Sequence, residues 1–126
     1  MNRFAFLLAP LWAGGALACD NDGMPLTPQG EDGPRAVLLL EDVPLAQPFS
    51  VQIRVCDDVI IKALSVDAIM PAHQHGMNYV PSIIDLGDGL YQADGLLFHM
   101  PGAWEVQVEL TQDTGVTRYS HIIELQ

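Results

Sequence analysis

The sequence Trp104-Glu105-Val106-Gln107-Val108-Glu109-Leu110 alternates strictly between apolar residues at even positions and polar residues at odd positions. Successive side chains of a β-strand point to opposite faces of the sheet, so this pattern predicts a strand with one buried and one solvated face. The stretch Phe49-Ser50-Val51-Gln52-Ile53-Arg54-Val55 alternates in the same way, with its apolar residues at odd positions. Both segments are typical of antiparallel sheets that cover a core on one side.

Further strands are predicted from shorter apolar or alternating runs bounded by turn residues. They cover residues 36–40, 59–70, 82–86, 90–93, 96–99 and 116–125. No window combines helical periodicity with helix caps, and 9 Pro and 11 Gly argue against a helical bundle. We therefore expect an all-β fold, an immunoglobulin-like antiparallel β-sandwich, with a small barrel as the runner-up.

The composition limits the number of domains and the class of partner. The chain has 126 residues, 49% of them apolar, which is enough for one domain with its own core. Five Lys and Arg stand against 16 Asp and Glu, so the net charge is -11 with His neutral. A chain this acidic repels phosphate backbones and anionic membrane surfaces, and we expect no nucleic-acid partner.

The N-terminal residues predict an exported protein. Met1-Asn2-Arg3 is a short cationic start, residues 4–18 are almost entirely apolar, and the run ends in Ala16-Leu17-Ala18. We interpret residues 1–18 as a signal peptide, because a stable membrane anchor needs about 20 apolar residues. Residues 19–35 are acidic, rich in Pro and Gly and without periodicity, which predicts a flexible linker before a domain at residues 36–126.

Two cysteines leave several states open. Cys19 directly follows the predicted cleavage site, the position at which bacterial lipoproteins carry a lipid, so the mature protein is periplasmic or attached to the membrane through Cys19. In an oxidising compartment Cys19 and Cys56 could instead form a disulfide. Cys56 falls in the polar register of the strand before it, which favours an accessible sulfur as a free thiol or a metal ligand.

The candidate functional residues lie in and near the sequence MPAHQHGM at residues 70–77. His73, His75 and Met77 occupy alternate positions, so an extended segment would project them from one face at intervals of about 7 Å. A modest bend would bring two imidazoles and a thioether onto one ion. A second group of soft donors precedes the turn at residues 101–102. The predicted metal ligands are His73, His75, Met77, Met100, Met70 and His99.

This mixture of donors predicts copper, above all Cu(I), because imidazole combined with thioether suits a soft ion. Zinc sites use Cys and His, and calcium or magnesium would need carboxylates, which residues 70–77 lack. A blue-copper site is not expected, since Cys56 lies 17 residues before His73. A single His or Met of this kind is more often structural, and His121 in the last strand is interpreted in that way.

Three segments together resemble the YtkA-like domain: MPAHQHGM at residues 70–77, Gly89-Leu90-Tyr91, and FHMPGAWE at residues 98–105. The resemblance covers roughly residues 48–110 and carries the two recurring motifs of that family, MPxHxHGM and MPGxW. Gln74 stands where Gly is common. YtkA-like domains are small exported or membrane-attached bacterial β-sandwiches related to FixH-type proteins of cytochrome oxidase assembly. The resemblance implies the same fold and a role in copper handling.

Two functions remain in competition after the sequence is considered. The first is a periplasmic copper chaperone or buffer, with a cuproprotein or a membrane assembly protein as partner. The second is a metal-free module that docks a membrane or periplasmic protein, with the His residues packed on Trp104 and Tyr79. We expect no enzyme, because there is no GxSxG sequence, no close Cys–His pair, and no carboxylate in residues 70–77 to act as a general base.

Overall fold

The part of the chain that the structure describes consists of β-strands and loops. The structure is a computed structural model that describes Cys19, residues 23–30 and residues 32–126, and these residues contain no helix. The strands are β1 Met24–Pro25, β2 Thr27–Gln29, β3 Ala36–Leu39, β4 Phe49–Val55, β5 Ala63–Met70, β6 His75–Gly76, β7 Ser82–Gly87, β8 Leu90–Leu96, β9 Gly102–Gln112 and β10 Gly115–Leu125. The predicted signal peptide at residues 1–18 lies outside the described residues.

The ten strands form two antiparallel sheets of five strands each. Their orders are β1-β3-β4-β8-β7 and β2-β10-β9-β5-β6. The arrangement confirms the predicted all-β antiparallel sandwich. Within the described residues, no helix is long and apolar enough to cross a membrane.

The core follows the alternation of the two central strands. In β9 the even residues from Trp104 to Leu110 are fully buried, and the odd residues between them are half-buried. In β4 the buried residues are Val51, Ile53 and Val55. Because β4 and β9 lie in different sheets, their apolar faces meet in the middle of the sandwich. The alternate apolar residues seen in the sequence are therefore the residues that form the core.

Trp104 is the largest fully buried side chain of this core. Its indole stacks on Phe98, with ring centroids 4.5 Å apart, and Phe49 meets Phe98 edge-on at 4.9 Å. The indole Nε1–H donates a hydrogen bond of 2.9 Å to the backbone carbonyl of Met100. The indole therefore joins the first residues of β9 to the segment that precedes them.

Two predicted strand boundaries differ from the structure because of pairing. The predicted strand at residues 59–70 begins only at Ala63, which pairs with Thr111 near the end of β9. The amide of Lys62 still donates to the carbonyl of Thr111, but β9 ends at Gln112, so residues 59–61 pair with no strand. Residues 90–96 form one strand instead of two. The extra residue, Gly95 at φ +90°, is absorbed in a bulge where Leu96 pairs with Phe49 and Asp94 with Ser50.

The segment expected to be a flexible linker contributes two short strands. Met24–Pro25 pairs with β3, Thr27–Gln29 pairs with β10, and Leu26 between them is buried in the core. Strands of two or three residues are too short to show periodicity, and the partner of Thr27 is Ser120, far away in sequence. The sequence therefore carries no local signal for this pairing.

Cys19 and Cys56 form a disulfide, with their Cα atoms 5.6 Å apart. Cys56 is 3% exposed, which corrects the expectation of an accessible sulfur, and the described residues include no free cysteine. The strand alternation stops at Val55, because the amide of Cys56 donates to the carbonyl of Arg35 and turns the residue inward. The disulfide leaves no thiol on Cys19 for a lipid and none on Cys56 for a metal.

Tyr119 on β10 provides a test of the packing at residues 32–35. Its hydroxyl donates to the carbonyl of Pro34, and burial, followed by the charge of Asp57, raises the pKa of Tyr119 to about 12. The pKa in the folded state is above the ordinary value of about 10, so the stabilisation is complete below pH 10 and is lost as the pH rises towards 12.

We expect Tyr119→Phe to cost about 1 kcal/mol at pH 7, the value of one hydrogen bond, and to reduce the loss of stability between pH 10 and 12. Urea unfolding across this range checks both, with exposed Tyr79→Phe as the control. An identical alkaline loss in the wild-type and Tyr119→Phe proteins would contradict the assignment.

Candidate functional site

The histidines of the MPAHQHGM sequence lie on a β-hairpin formed by β5 and β6. Met70 pairs with His75, and four residues connect the two strands. The amide of His73 donates to the carbonyl of Met70 at 3.2 Å, which closes a turn with Pro71 at its second position. Pro fits this position because its φ is already restricted to the turn value. Gln74 follows the turn in the left-handed region, at φ +52°.

His73 and His75 present exposed imidazoles at the end of this hairpin. Their ring centroids are 6.2 Å apart and their planes are inclined by 37°. A metal–nitrogen bond is about 2.0 Å long, and the ligating nitrogen lies about 1.1 Å from the centre of its ring. Two imidazoles on one ion therefore have ring centres up to about 6.2 Å apart. The pair can therefore bind a single ion in a nearly linear geometry once the rings turn towards each other.

Met77 is not exposed beside the two histidines, which corrects the expectation of three donors in a row. Gln74, in the left-handed region, separates His73 from strand β6, so the three residues do not lie on one extended segment. Met77 is 9% exposed and belongs to the core, and its Sδ accepts a hydrogen bond from the amide of Leu97 at 3.5 Å. Its thioether holds the hairpin against the segment that follows β8.

Met70 makes a second connection of the same kind. The side chain is buried at the end of β5, and its methyl group lies 2.7 Å from the point where a Cβ on Gly102 would be placed. Gly102 adopts φ +131° at the start of β9. The close approach of Met70 to Gly102 places the hairpin directly beside the connection between β8 and β9.

His99 and Met100 lie in this connection. The His99 ring is exposed and meets the edge of Trp104, with ring centroids 5.4 Å apart. Met100 is partly buried, and its carbonyl accepts the indole N–H of Trp104. All six predicted ligands thus lie at one end of the sandwich. The three imidazoles are exposed, Met100 is intermediate, and Met70 and Met77 are buried.

The stretch of sequence that includes this end has a negative net charge. Residues 63–117 contain no Lys or Arg, and they include β5 to β9 with the hairpin and the β8–β9 connection. An excess of carboxylates attracts cations and raises their local concentration. Among the described residues, however, no group of three or more His, Cys, Asp or Glu side chains is placed to hold a metal ion. A metal at this end would therefore depend on the two adjacent imidazoles and on thioether sulfur.

The fold and this end of the molecule define an all-β, two-sheet domain with a pair of exposed histidines on a hairpin. No family model, curated protein or solved structure matches the chain. The resemblance to YtkA-like domains therefore stays a hypothesis that rests on residues 70–77 and 98–105.

Proposed function

We propose that the protein is an exported copper-binding protein, a chaperone or buffer, that holds copper through His73 and His75. The observation that carries the proposal is the pair of exposed imidazoles with ring centroids 6.2 Å apart. A YtkA-like membership, proposed from the two motifs, agrees with copper handling.

The donors favour Cu(I) over zinc. Imidazole by itself suits copper and zinc alike, but a structural zinc site needs four donors of the Cys and His type. The preference for Cu(I) therefore comes from thioether sulfur as a third donor. The partly buried thioether of Met100 and the ring of His99 are the candidates for a third ligand, since both lie in the connection beside the hairpin. Met70 and Met77 have a different role in this proposal, because their buried thioethers hold the hairpin in place.

The position of the pair at the surface is suited to metal transfer. A buried ion would have to wait for the domain to open, whereas an ion on a hairpin turn can be approached by the ligands of a partner protein. The Cys19–Cys56 disulfide supports export, because disulfides persist in oxidising compartments. It also favours a form without lipid on Cys19, in the periplasm.

A competition titration with a chromophoric Cu(I) chelator tests the proposal. We expect His73→Ala with His75→Ala to lower Cu(I) affinity at least about 100-fold, since even changes to residues behind the ligands cost 10-fold or more. His121→Ala is the matched control, because His121 lies on β10, outside the hairpin and the β8–β9 connection, and it should change affinity less than about 2-fold. Met100→Ala should lower Cu(I) affinity more than Cu(II) affinity.

Circular dichroism of each variant shows whether the fold is kept. Equal Cu(I) affinity in the wild-type protein and the His73/His75 variant would eliminate the copper site. The metal-free docking module would then be the remaining function.

A further inference from the structure

Among the described residues, β7 is the longest of the four strands that lie at the edges of the two sheets. The other three edge strands, β1, β2 and β6, have two or three residues each, whereas β7 has six. It pairs only with β8, so its second row of backbone N–H and C=O groups faces outward. A bulge between Asp85 and Gly87 leaves residues 82–85 as the regular part. An exposed edge of this length is a template for another strand.

Two of the exposed side chains of this edge strand are large and apolar. Ile84 is 44% and Leu86 48% exposed, and Val80, just before the strand, is 96% exposed. Ile84 lies opposite Gln92 on the outer face of the sheet. Natural edge strands are usually protected by Lys or Pro, and β7 contains neither. These exposed residues are therefore available to pack against the side chains of an added strand.

The charge beside β7 selects the partner. Asp85 lies within the strand and Asp88 directly after it, while residues 63–117 supply no Lys or Arg. Hydrogen bonds from Ser50 and Gln92 lower the pKa of Asp94, which pairs with Ser82 of β7, so this side chain is a carboxylate at neutral pH. Among the described residues of this sheet, neither β7 nor its neighbour β8 carries Lys or Arg, and the next strand, β4, carries Arg54. A second copy of the chain would bring like charges together, since each carries -11.

We propose that β7 accepts an extended, basic segment of another exported protein, which adds to the sheet as a sixth strand. Main-chain hydrogen bonds supply the affinity of such an addition, and alternate side chains supply the specificity. The segment would carry apolar residues that meet Ile84 and Leu86, and Lys or Arg residues at the alternate positions that meet Asp85 and Asp88. The proposal does not depend on metal binding.

A peptide of four Lys-Val repeats with blocked ends is the probe, and calorimetry at low ionic strength measures its binding to the oxidised protein. We expect Ile84→Lys to weaken binding about 10-fold, because it replaces an apolar contact with a like charge. Val116→Lys is the matched control, since it adds the same charge at an exposed apolar residue on the other sheet, and it should change binding less than about 2-fold. Hydrogen exchange should slow at the amides of β7 when the peptide is bound.

Equal weakening by Ile84→Lys and Val116→Lys would show an unspecific charge effect and overturn the proposal. Binding of a Glu-Val repeat as tight as that of the Lys-Val repeat would also overturn it, as would no binding of either. Sedimentation velocity without peptide tests whether a second copy of the chain binds to β7 instead. A dimer that Ile84→Lys dissociates would assign β7 to a second copy of the chain and refute the basic partner.

Discussion

Replacing Trp104 by alanine is expected to lower the free energy of unfolding by about 3–5 kcal/mol. The indole is fully buried, stacks on Phe98 and is met edge-on by His99, so its removal leaves a cavity between the two sheets. The carbonyl of Met100 also loses its hydrogen-bond donor. The effect is large because Trp104 combines the greatest buried volume of the core with a specific hydrogen bond.

Urea unfolding followed by far-ultraviolet circular dichroism measures this effect. Trp104→Phe keeps a stacked ring and loses the N–H donor, so it should cost less than the alanine variant, about 1–3 kcal/mol. Val116→Ala is a control at an exposed apolar residue and should stay within about 0.5 kcal/mol of the wild type. A cost below about 1 kcal/mol for Trp104→Ala would be inconsistent with the role of Trp104 in the core.

The second large effect is expected from the disulfide. The two cysteines are 37 residues apart, and closing a loop of this length in the unfolded chain corresponds to about 4 kcal/mol of stability. Without the bond, residues 23–30 are anchored mainly by the short strands β1 and β2 and by Leu26. Cys19→Ser with Cys56→Ser should therefore lower the free energy of unfolding by up to this amount.

Unfolding of the oxidised protein, the reduced protein and the double variant provides the measurement. The reduced protein and the double variant should unfold at the same urea concentration, below that of the oxidised protein. Intact mass after alkylation of the unreduced, native-host protein is the independent check. Alkylation of Cys56, or a lipid on Cys19, would rule out the disulfide in the native-host protein.

The strands and the core were predictable from the sequence wherever one face of a strand is buried. The alternation in residues 49–55 and 104–110 identifies the buried residues without knowledge of the partner strand, because a period of two follows from the backbone alone. The grouping of His73 with His75 is also local, since only Gln74 separates them.

The remaining features were decided by contacts between distant parts of the chain. The pairing of Thr27 with Ser120 and the bond between Cys19 and Cys56 bring together residues that are not neighbours in sequence, so they leave no local pattern. The burial of Met77 depends on the core that surrounds it and on the amide of Leu97, which follows the last residue of β8 in the other sheet. Alternation in the sequence identifies the buried residues only within a continuous strand. At a turn, burial is set by what the rest of the fold places beside the residue.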